Sequence, residues 1–323
     1  MKPSLNAPRP GAGPVAKRES FLSELKKYRT LLLMLLPGVV IIFVFAYLPM
    51  GGVVLAFKQF RYAKGILGSP WTKGIFDNFR FFFISGKAML VTGNTFTYNL
   101  MFIVVNTVLA SGFAIILGEI GGRAFKKLTQ SVIFLPYFVS WVIVGSIAYN
   151  MLNYETGAVN ALIKSLNLES VNFYGMPSAW RWLILLFNAW KGVGYSMVVY
   201  LAAVVGIDAQ LNEAAQIDGA NIFQRIRHVP LPSILPTMIT LVLLDVSKIF
   251  RGTFDLFYQL IGKNGALYDA TDVIDTFVFR SLIQSSDVGM AAAAGLYQSV
   301  LCFVTIILVN WIVRRVESDY ALF

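Results

Sequence analysis

The chain has 323 residues, of which 57% are hydrophobic and only 14% are charged, and its formal net charge is +10. A soluble domain of this length carries about a quarter charged residues, so the composition excludes an ordinary soluble protein and favours a protein embedded in a bilayer. A single cysteine and a single histidine exclude an internal disulfide and a metal site built from several such residues, and we expect no bound metal.

The N-terminal segment, residues 1–29, is basic and precedes the first apolar run. We predict a mobile cytoplasmic tail whose charge sets the membrane topology and attracts anionic lipid. The apolar run after it is too long for a signal peptide. The basic residues of the rest of the chain are scattered and do not cluster in one segment, so nucleic acid is not an expected partner. The basic residues of the tail are Lys2, Arg9, Lys17, Arg18, Lys26, Lys27 and Arg29.

Six stretches are apolar and long enough to cross the hydrocarbon core, which requires about 20 helical residues. The first is expected to kink or thin near Pro37 and Pro49. We therefore predict an all-α membrane protein in which residues 30–323 form one domain of six transmembrane helices. The predicted spans are Thr30–Phe57, Thr95–Ile120, Ser131–Leu152, Trp180–Val205, Ser233–Phe250 and Val288–Val313.

Basic residues near the ends of the spans indicate the orientation of the chain. The N-terminal cluster, the group from Arg123 to Lys127 and the pair Arg314–Arg315 all fall on one side, which is predicted to be cytoplasmic. An even number of spans places both termini there. The opposite side receives three long connections, residues 58–94, 153–179 and 252–287, which either dock a soluble partner or stiffen the top of the bundle.

The connection between the fourth and fifth spans is predicted to fold into two short helices. Asp208 is expected to cap a helix through Gln216, and Gly219 stands where that helix would end in the left-handed conformation. Asn221 is expected to cap a second helix through His228. We call this connection, residues 206–232, the elbow.

The surface of the elbow allows close approach by another protein. Glu213 places a charge beside two small side chains, Ala214 and Ala215. Pro230 and Pro232 are expected to break the helical pattern and to form a stiff exit towards the fifth span. Composition alone equally favours an ordinary helix–turn–helix loop between two spans.

Polar groups inside a span are costly and indicate a functional role. Asp245 and Lys248, three residues apart on the fifth span, are expected to share one face and can pair; they either line a polar path or hold two helices in register. A second group on the fourth span suits contact with a sugar ring, although interfacial anchoring by tryptophan is an alternative. That group comprises Asn188, Trp190, Lys191 and Tyr195.

Two further patterns, in the second span and just beyond its end, concern helix packing. Asn99 and Asn106 lie seven residues apart and are expected to hydrogen-bond to neighbouring helices. Gly118 and Gly122 have the GxxxG spacing, which is typical of close packing between helices.

The sequence contains no recognisable catalytic motif. A glycine-rich phosphate loop ending in Lys-Ser or Lys-Thr, a nucleophile elbow and an HExxH motif are all missing. We therefore expect that the chain is not an enzyme, has no catalytic residues and does not hydrolyse ATP. This disfavours a membrane-embedded enzyme and leaves a transport subunit, an uncoupled channel or a membrane scaffold subunit.

The spacing within the elbow resembles the EAA motif of permease subunits in binding-protein-dependent, sugar-type ABC importers. Valine stands at position 229, where isoleucine is commonest in that family. The stretches FLPYFVSWVI and NAWKGVGYSMVVYLAA support the likeness, and the chain is most similar to permease subunits of alginate-oligosaccharide importers. The residues that match the motif are Glu213, Ala214, Ala215, Gly219, Val229, Leu231 and Pro232.

The resemblance implies a type I ABC importer permease fold in the bacterial inner membrane, with alternating access. It also implies a second permease subunit, a dimer of subunits that bind ATP, and a periplasmic solute-binding protein, with no other cofactor. Substrate contacts do not carry over, because no motif defines them. A basic outer face suits an acidic, alginate-like oligosaccharide without establishing it. The ATPase-coupling role would fall to Glu213, Ala214, Ala215, Gly219 and Pro232.

Overall fold

The computed structural model describes residues 27–120 and 122–316, so most of the predicted basic tail lies outside the described residues. Within these ranges every regular element is helical, and the one β-type pairing is an isolated bridge between Lys58 and Trp71. The predicted all-α class is therefore confirmed. The chain divides after Gly52 into two compact units.

The first unit contains the start of the first predicted span. Helix α1 covers Arg29–Ile42, and it accommodates Pro37. The backbone then forms a π-helical turn, Phe43–Tyr47, and a 3-10 helix, Leu48–Phe57. Regular α-helical bonding thus ends before Pro49, where the sequence predicted a kink. Together these elements make a candidate span of 29 residues, Arg29–Phe57.

The second unit contains the remaining helices, which alternate between long membrane-type helices and short connecting ones. The α-helices are α2 Gly65–Gly68, α3 Asp77–Ile84, α4 Lys87–Glu119, α5 Arg123–Phe134, α6 Trp141–Leu152, α7 Ala158–Ser165, α8 Pro177–Val205, α9 Ala209–Ile217, α10 Ile222–His228, α11 Pro230–Val246, α12 Phe254–Ile261, α13 Tyr268–Thr271, α14 Ile274–Ile283 and α15 Val288–Val316. Short 3-10 helices occur at Tyr62–Lys64, Leu135–Phe138, Phe173–Gly175 and Gly265–Leu267.

Four segments of the described chain are long and apolar enough to cross a membrane unaided: Arg29–Phe57, α4, α8 and α15. Two bent helix pairs also pass this test as pairs, which brings the number of candidate spans to six, the predicted number. The pair α10 and α11 bends by 42°, whereas Arg123–Phe138 and Trp141–Leu152 meet at 95°. The third predicted span is therefore broken. The break follows from extended backbone at Val139 and Ser140, where the Ser140 hydroxyl caps α6.

The fifth span begins earlier than its sequence predicted. Pro230 and Pro232 do not interrupt the helix but lie in the first turn of α11. Backbone N–H groups in the first turn of a helix have no partner within the helix, so proline loses no hydrogen bond there. The helix ends at Val246 instead of continuing to Phe250. The stiff exit is therefore the start of the span itself.

Helices α4 and α8 run side by side and in parallel, and their C-terminal halves form one of the buried clusters. Ala110, Ala114 and Leu117 of α4 pack against Met197 and Leu201 of α8. Small residues on α4 permit this close approach.

The GxxxG pair contributes to this packing at only one of its two positions. A Cβ atom added to Gly118 would lie 2.6 Å from Val204 Cγ1, so this glycine does sit in a close contact. Gly122 lies beyond the end of α4, has a φ of +92° and precedes α5. Gly122 therefore allows the turn between α4 and α5 and is not part of a helix–helix interface.

Replacing Gly194 with alanine is expected to lower the stability of the bundle. A Cβ atom at this position would lie 2.3 Å from the Ile133 carbonyl oxygen, so α8 would have to move away from α5. Overpacking of this kind costs about 1–3 kcal/mol. Thermal unfolding of the purified protein in detergent measures the effect. Gly112→Ala is the matched control, because nothing lies within 4 Å of its added Cβ, and it should not lower the unfolding temperature.

Candidate functional site

The two short helices of the elbow and the bend between them fold as the sequence predicted, whereas its exit at Pro230 and Pro232 is already part of α11. Asp208 caps α9 by accepting a hydrogen bond from the Gln210 N–H at 3.0 Å. Gly219 follows α9 with a φ of +80°, a conformation that glycine adopts without steric cost. Asn221 and Gln224 form a reciprocal capping box at the start of α10, with distances of 2.8 and 2.9 Å. The two helices and the bend between them are thus fixed by local sequence.

The outer surface of the elbow exposes large apolar side chains together with the predicted coupling residues. Glu213 and Ala214 are exposed, and Ala215 is half-buried. Ile217 and Phe223 are 86% and 80% exposed. Large apolar side chains this exposed on a short polar connection are consistent with a protein-binding surface.

One carboxylate attaches both elbow helices to the end of α4. Glu119, the last residue of α4, accepts a hydrogen bond from Arg225 of α10 at 3.0 Å and one from Asn212 of α9 at 3.3 Å. The Glu119 and Arg225 side chains are only 15% and 14% exposed. Sequence reasoning missed this contact, and no local signal announces it.

Four of the six predicted pathway residues line two adjoining, open polar cavities, which share Asn106 and Asp245. The first cavity, of about 220 Å³, is lined by Asn99, Phe102, Ile103, Asn106, Asn188, Asp245, Lys248, Arg251 and Thr253. The second, of about 170 Å³, is lined by Asn106, Thr107, Tyr195, Ser196, Val199, Tyr200, Leu241 and Asp245.

Asparagine amides fix the walls of the first cavity. Asn106 donates a hydrogen bond to the Asn188 side-chain oxygen at 3.0 Å, which joins α4 to α8. Asn99 donates to the carbonyls of Ile249 and Arg251 at 2.7 and 3.2 Å. The predicted hydrogen bond to a neighbouring helix is therefore confirmed for Asn106, whereas Asn99 bonds to the non-helical segment that follows α11. The Asn106 side-chain oxygen is buried and has no hydrogen-bond partner among the described residues, so it remains available as an acceptor.

The charged residues of the first cavity are not joined into ion pairs in the described part of the chain. Although the sequence allowed Asp245 and Lys248 to pair, no ion pair within 4 Å joins them in the described part of the chain. Helix α11 ends at Val246, so Lys248 leaves the helical register that would have aligned the two side chains. With Arg251, the cavity carries two basic groups and one acidic group, all exposed.

The other two predicted pathway residues line neither cavity. Trp190 is 44% exposed on another side of α8. Lys191 donates a hydrogen bond to the Tyr137 carbonyl at 2.6 Å, and its ammonium group lies 5.4 and 5.5 Å from the ring centres of Tyr137 and Trp141. Lys191 thus braces the break between α5 and α6. Tyr195 joins the same region by stacking on Tyr137 at 4.9 Å.

A half-buried carboxylate fixes the chain segment that carries Arg251. Asp275 accepts hydrogen bonds from the Gly252 N–H at 2.6 Å and from the Gln298 amide at 2.8 Å. Burial raises the pKa of Asp275 above its usual range, while these two hydrogen bonds act in the opposite direction. Gly252 has no room for a side chain, since a Cβ atom would lie 2.7 Å from the carboxylate.

A helical membrane chain with an exposed elbow and a polar cavity has the features of a transport subunit, and comparison with known proteins identifies its family. Residues 110–318 match the model of the family described as binding-protein-dependent transport system inner membrane component. The chain belongs to this family.

Relatives match almost the whole chain. Protein LplB of Bacillus subtilis (strain 168) is 31% identical over 303 residues, which cover 93% of both chains. The polygalacturonan/rhamnogalacturonan transport system permease protein YteP of the same organism is 31% identical over 306 residues, covering 94% of this chain and 93% of YteP.

Solved structures agree on the fold. A chain of a bacterial ABC transporter involved in the import of the acidic polysaccharide alginate matches with a TM-score of 0.83 and 30% identity, over 93% of this chain and all of that one. A chain of a bacterial alginate ABC transporter, in complex with a periplasmic protein that holds an alginate pentasaccharide, matches with a TM-score of 0.81 and 30% identity, over 92% of this chain and 98% of that one. The type I ABC importer permease fold is thereby confirmed.

Proposed function

We propose that this permease is the transmembrane subunit of an ATP-driven importer that accepts an acidic oligosaccharide from a periplasmic binding protein and releases it into the cytoplasm by alternating access. A second permease subunit completes the path through the membrane. ATP is bound and hydrolysed by a separate pair of subunits, so this chain needs no cofactor of its own. Both termini and the elbow lie on the cytoplasmic side.

The polar cavity carries the proposal about the cargo. Its lining combines two basic groups with amide and hydroxyl groups, and its single acidic residue leaves an excess of positive charge. Carboxylates on a saccharide chain suit basic groups, while its hydroxyls suit asparagine amides. The named substrates of YteP and of the structural neighbours, polygalacturonan, rhamnogalacturonan and alginate, support the same class.

Transport by the reconstituted complex tests the proposed function. The chain is placed in proteoliposomes with the second permease, the ATPase subunits and the binding protein, and uptake is measured for acidic and neutral oligosaccharides. We expect uptake of acidic oligosaccharides only when ATP and the binding protein are both present. Uptake at the same rate without ATP would show an uncoupled channel, and an assembled complex without uptake of any saccharide would favour a scaffold subunit.

Replacing Glu213 with lysine is expected to weaken binding of the ATPase subunits to the elbow by about tenfold or more, as expected for a central contact of an interface. Glu213 is exposed on the elbow surface, so the change leaves the fold intact. Co-purification and ATP-driven uptake measure the effect. Asp218→Lys is the matched control, since it makes the same charge change at an exposed position of the elbow, at the end of α9. Normal assembly and transport by Glu213→Lys would contradict the assignment of the elbow.

A further inference from the structure

A single carboxylate that is partly withdrawn from water links both elbow helices to α4. Glu119 uses both of its oxygens: one accepts from Arg225 of α10 at 3.0 Å, and the other accepts from Asn212 of α9 at 3.3 Å. Because both charged side chains are about one-seventh exposed, the pair is screened less than a surface ion pair. Removal of either partner leaves an uncompensated charge in a poorly hydrated position.

Helix α4 provides a direct mechanical connection from this carboxylate to the polar cavity. It runs unbroken for 33 residues and contains no proline. Asn106, which lines both cavities, precedes Glu119 by 13 positions, or about 20 Å along a helix. A displacement of the elbow therefore reaches the cavity wall through one rigid element.

The end of α4 is also locked to α8. Gly118, next to Glu119, packs so closely on Val204 that an added Cβ would lie 2.6 Å from it. At the cavity, α4 is joined to α8 a second time, by the hydrogen bond from Asn106 to Asn188. Movement at Glu119 is thus shared by the two helices that supply most of the polar lining.

We propose that the Glu119–Arg225 ion pair is the positioning element that transmits the movement of the elbow to the substrate cavity. The inference rests on the proposed function, in which the ATPase subunits dock on the elbow. In this role neither residue touches substrate or ATP. Their pairing keeps α9 and α10 rigidly attached to α4, so that closure of the ATPase dimer moves the cavity wall and does not merely bend the elbow.

Glu119→Gln and Arg225→Gln, singly and together, test this role in the reconstituted complex. The measured quantity is the number of acidic oligosaccharides transported per ATP hydrolysed. Each single variant should assemble and hydrolyse ATP normally but transport about tenfold less per ATP, within the usual range of coupling between two sites. The double variant should be no worse than either single one, because both remove the same contact. Arg227→Gln is the matched control: it removes the same charge from an exposed position of α10 and should change nothing.

The charge-swapped variant, Glu119→Arg with Arg225→Glu, distinguishes transmission from assembly. It restores an ion pair between the same helices and should recover most of the transport per ATP. Normal transport per ATP in both single variants would overturn the proposal, and so would a swapped variant that assembles but stays uncoupled. If the single variants fail to assemble, the swapped variant alone decides. Failure of the unmodified complex to show ATP-dependent uptake would instead refute the proposed function.

Discussion

Changing Lys248 to glutamate is expected to reduce the uptake of acidic oligosaccharides by about 30-fold. Lys248 lies exposed in the first cavity with Arg251, opposed by the single carboxylate of Asp245. The change turns an excess of one positive charge into an excess of one negative charge. Two unit charges about 6 Å apart interact by roughly 3 kcal/mol at an effective dielectric constant of about 20, and water in the open cavity reduces this to about 1 kcal/mol. Because the reversal replaces an attraction with a repulsion, the total change is about 2 kcal/mol, which corresponds to about 30-fold.

Uptake of a neutral oligosaccharide of similar length provides the internal control for Lys248→Glu. It should stay within about twofold of the unmodified protein, because the charge acts on the cargo and not on the fold. Lys248→Met, which keeps the apolar part of the side chain and removes the charge, should give an intermediate loss. Equal losses for the acidic and the neutral saccharide would show that Lys248 acts on the conformational change instead.

Changing Gly219 to valine is expected to abolish most of the ATP-driven transport by reorienting the elbow. The backbone at Gly219 has a φ of +80°, and for a β-branched residue this conformation is a severe outlier. Nothing lies within 4 Å of an added Cβ, so the loss would come from backbone strain and not from a clash. Strain of about 1–2 kcal/mol or more would tilt α9 against α10 and misplace the docking surface. Co-purification of the ATPase subunits should fall about tenfold.

Gly219→Asn is the matched variant for this experiment. Asparagine tolerates the left-handed conformation far better than valine does, so most of the assembly and transport should remain. If the valine and asparagine variants behave alike, the bend is not what Gly219 contributes. In that case Gly219 would contribute by letting the ATPase subunits approach the elbow closely.

The two short helices of the elbow and the bend between them could be predicted from sequence because the signals that fix them are local. Asp208 caps the helix that follows it directly, Gly219 ends that helix, and Asn221 pairs with Gln224 three residues later. Such contacts depend only on residues a few positions apart, so the residue types and their spacing are enough to predict them. By contrast, Glu119 and Arg225 are separated by 106 positions. Their pairing depends on how α4, α9 and α10 pack, and no short pattern encodes that.

The predicted pathway residues on α8 show the same contrast between what local spacing predicts and what packing decides. Asn188 and Tyr195 are seven positions apart and so lie on nearly the same side of α8, which brings both to the cavities. Trp190 is rotated from Asn188 by about 200° on an ideal helix, and this rotation takes it away. Lys191 is closer in angle, but the aromatic rings and the free carbonyl at the break after α5 attract its ammonium group.

The right-angled break between α5 and α6 has a consequence for the lipid boundary. Helix α6 has 12 residues and measures about 18 Å, well short of the roughly 30 Å of hydrocarbon it would need to cross. Of the four peptide groups at Val139 and Ser140, two are hydrogen-bonded, the Val139 N–H to Pro136 and the Ser140 carbonyl to Val144, and hydrocarbon tails cannot satisfy the other two. Acyl chains are therefore kept off this flank, which must be wetted by a channel or sheltered by a neighbouring polypeptide. A photoactivated lipid probe should therefore label the other membrane-facing helices but not the residues around the break between α5 and α6.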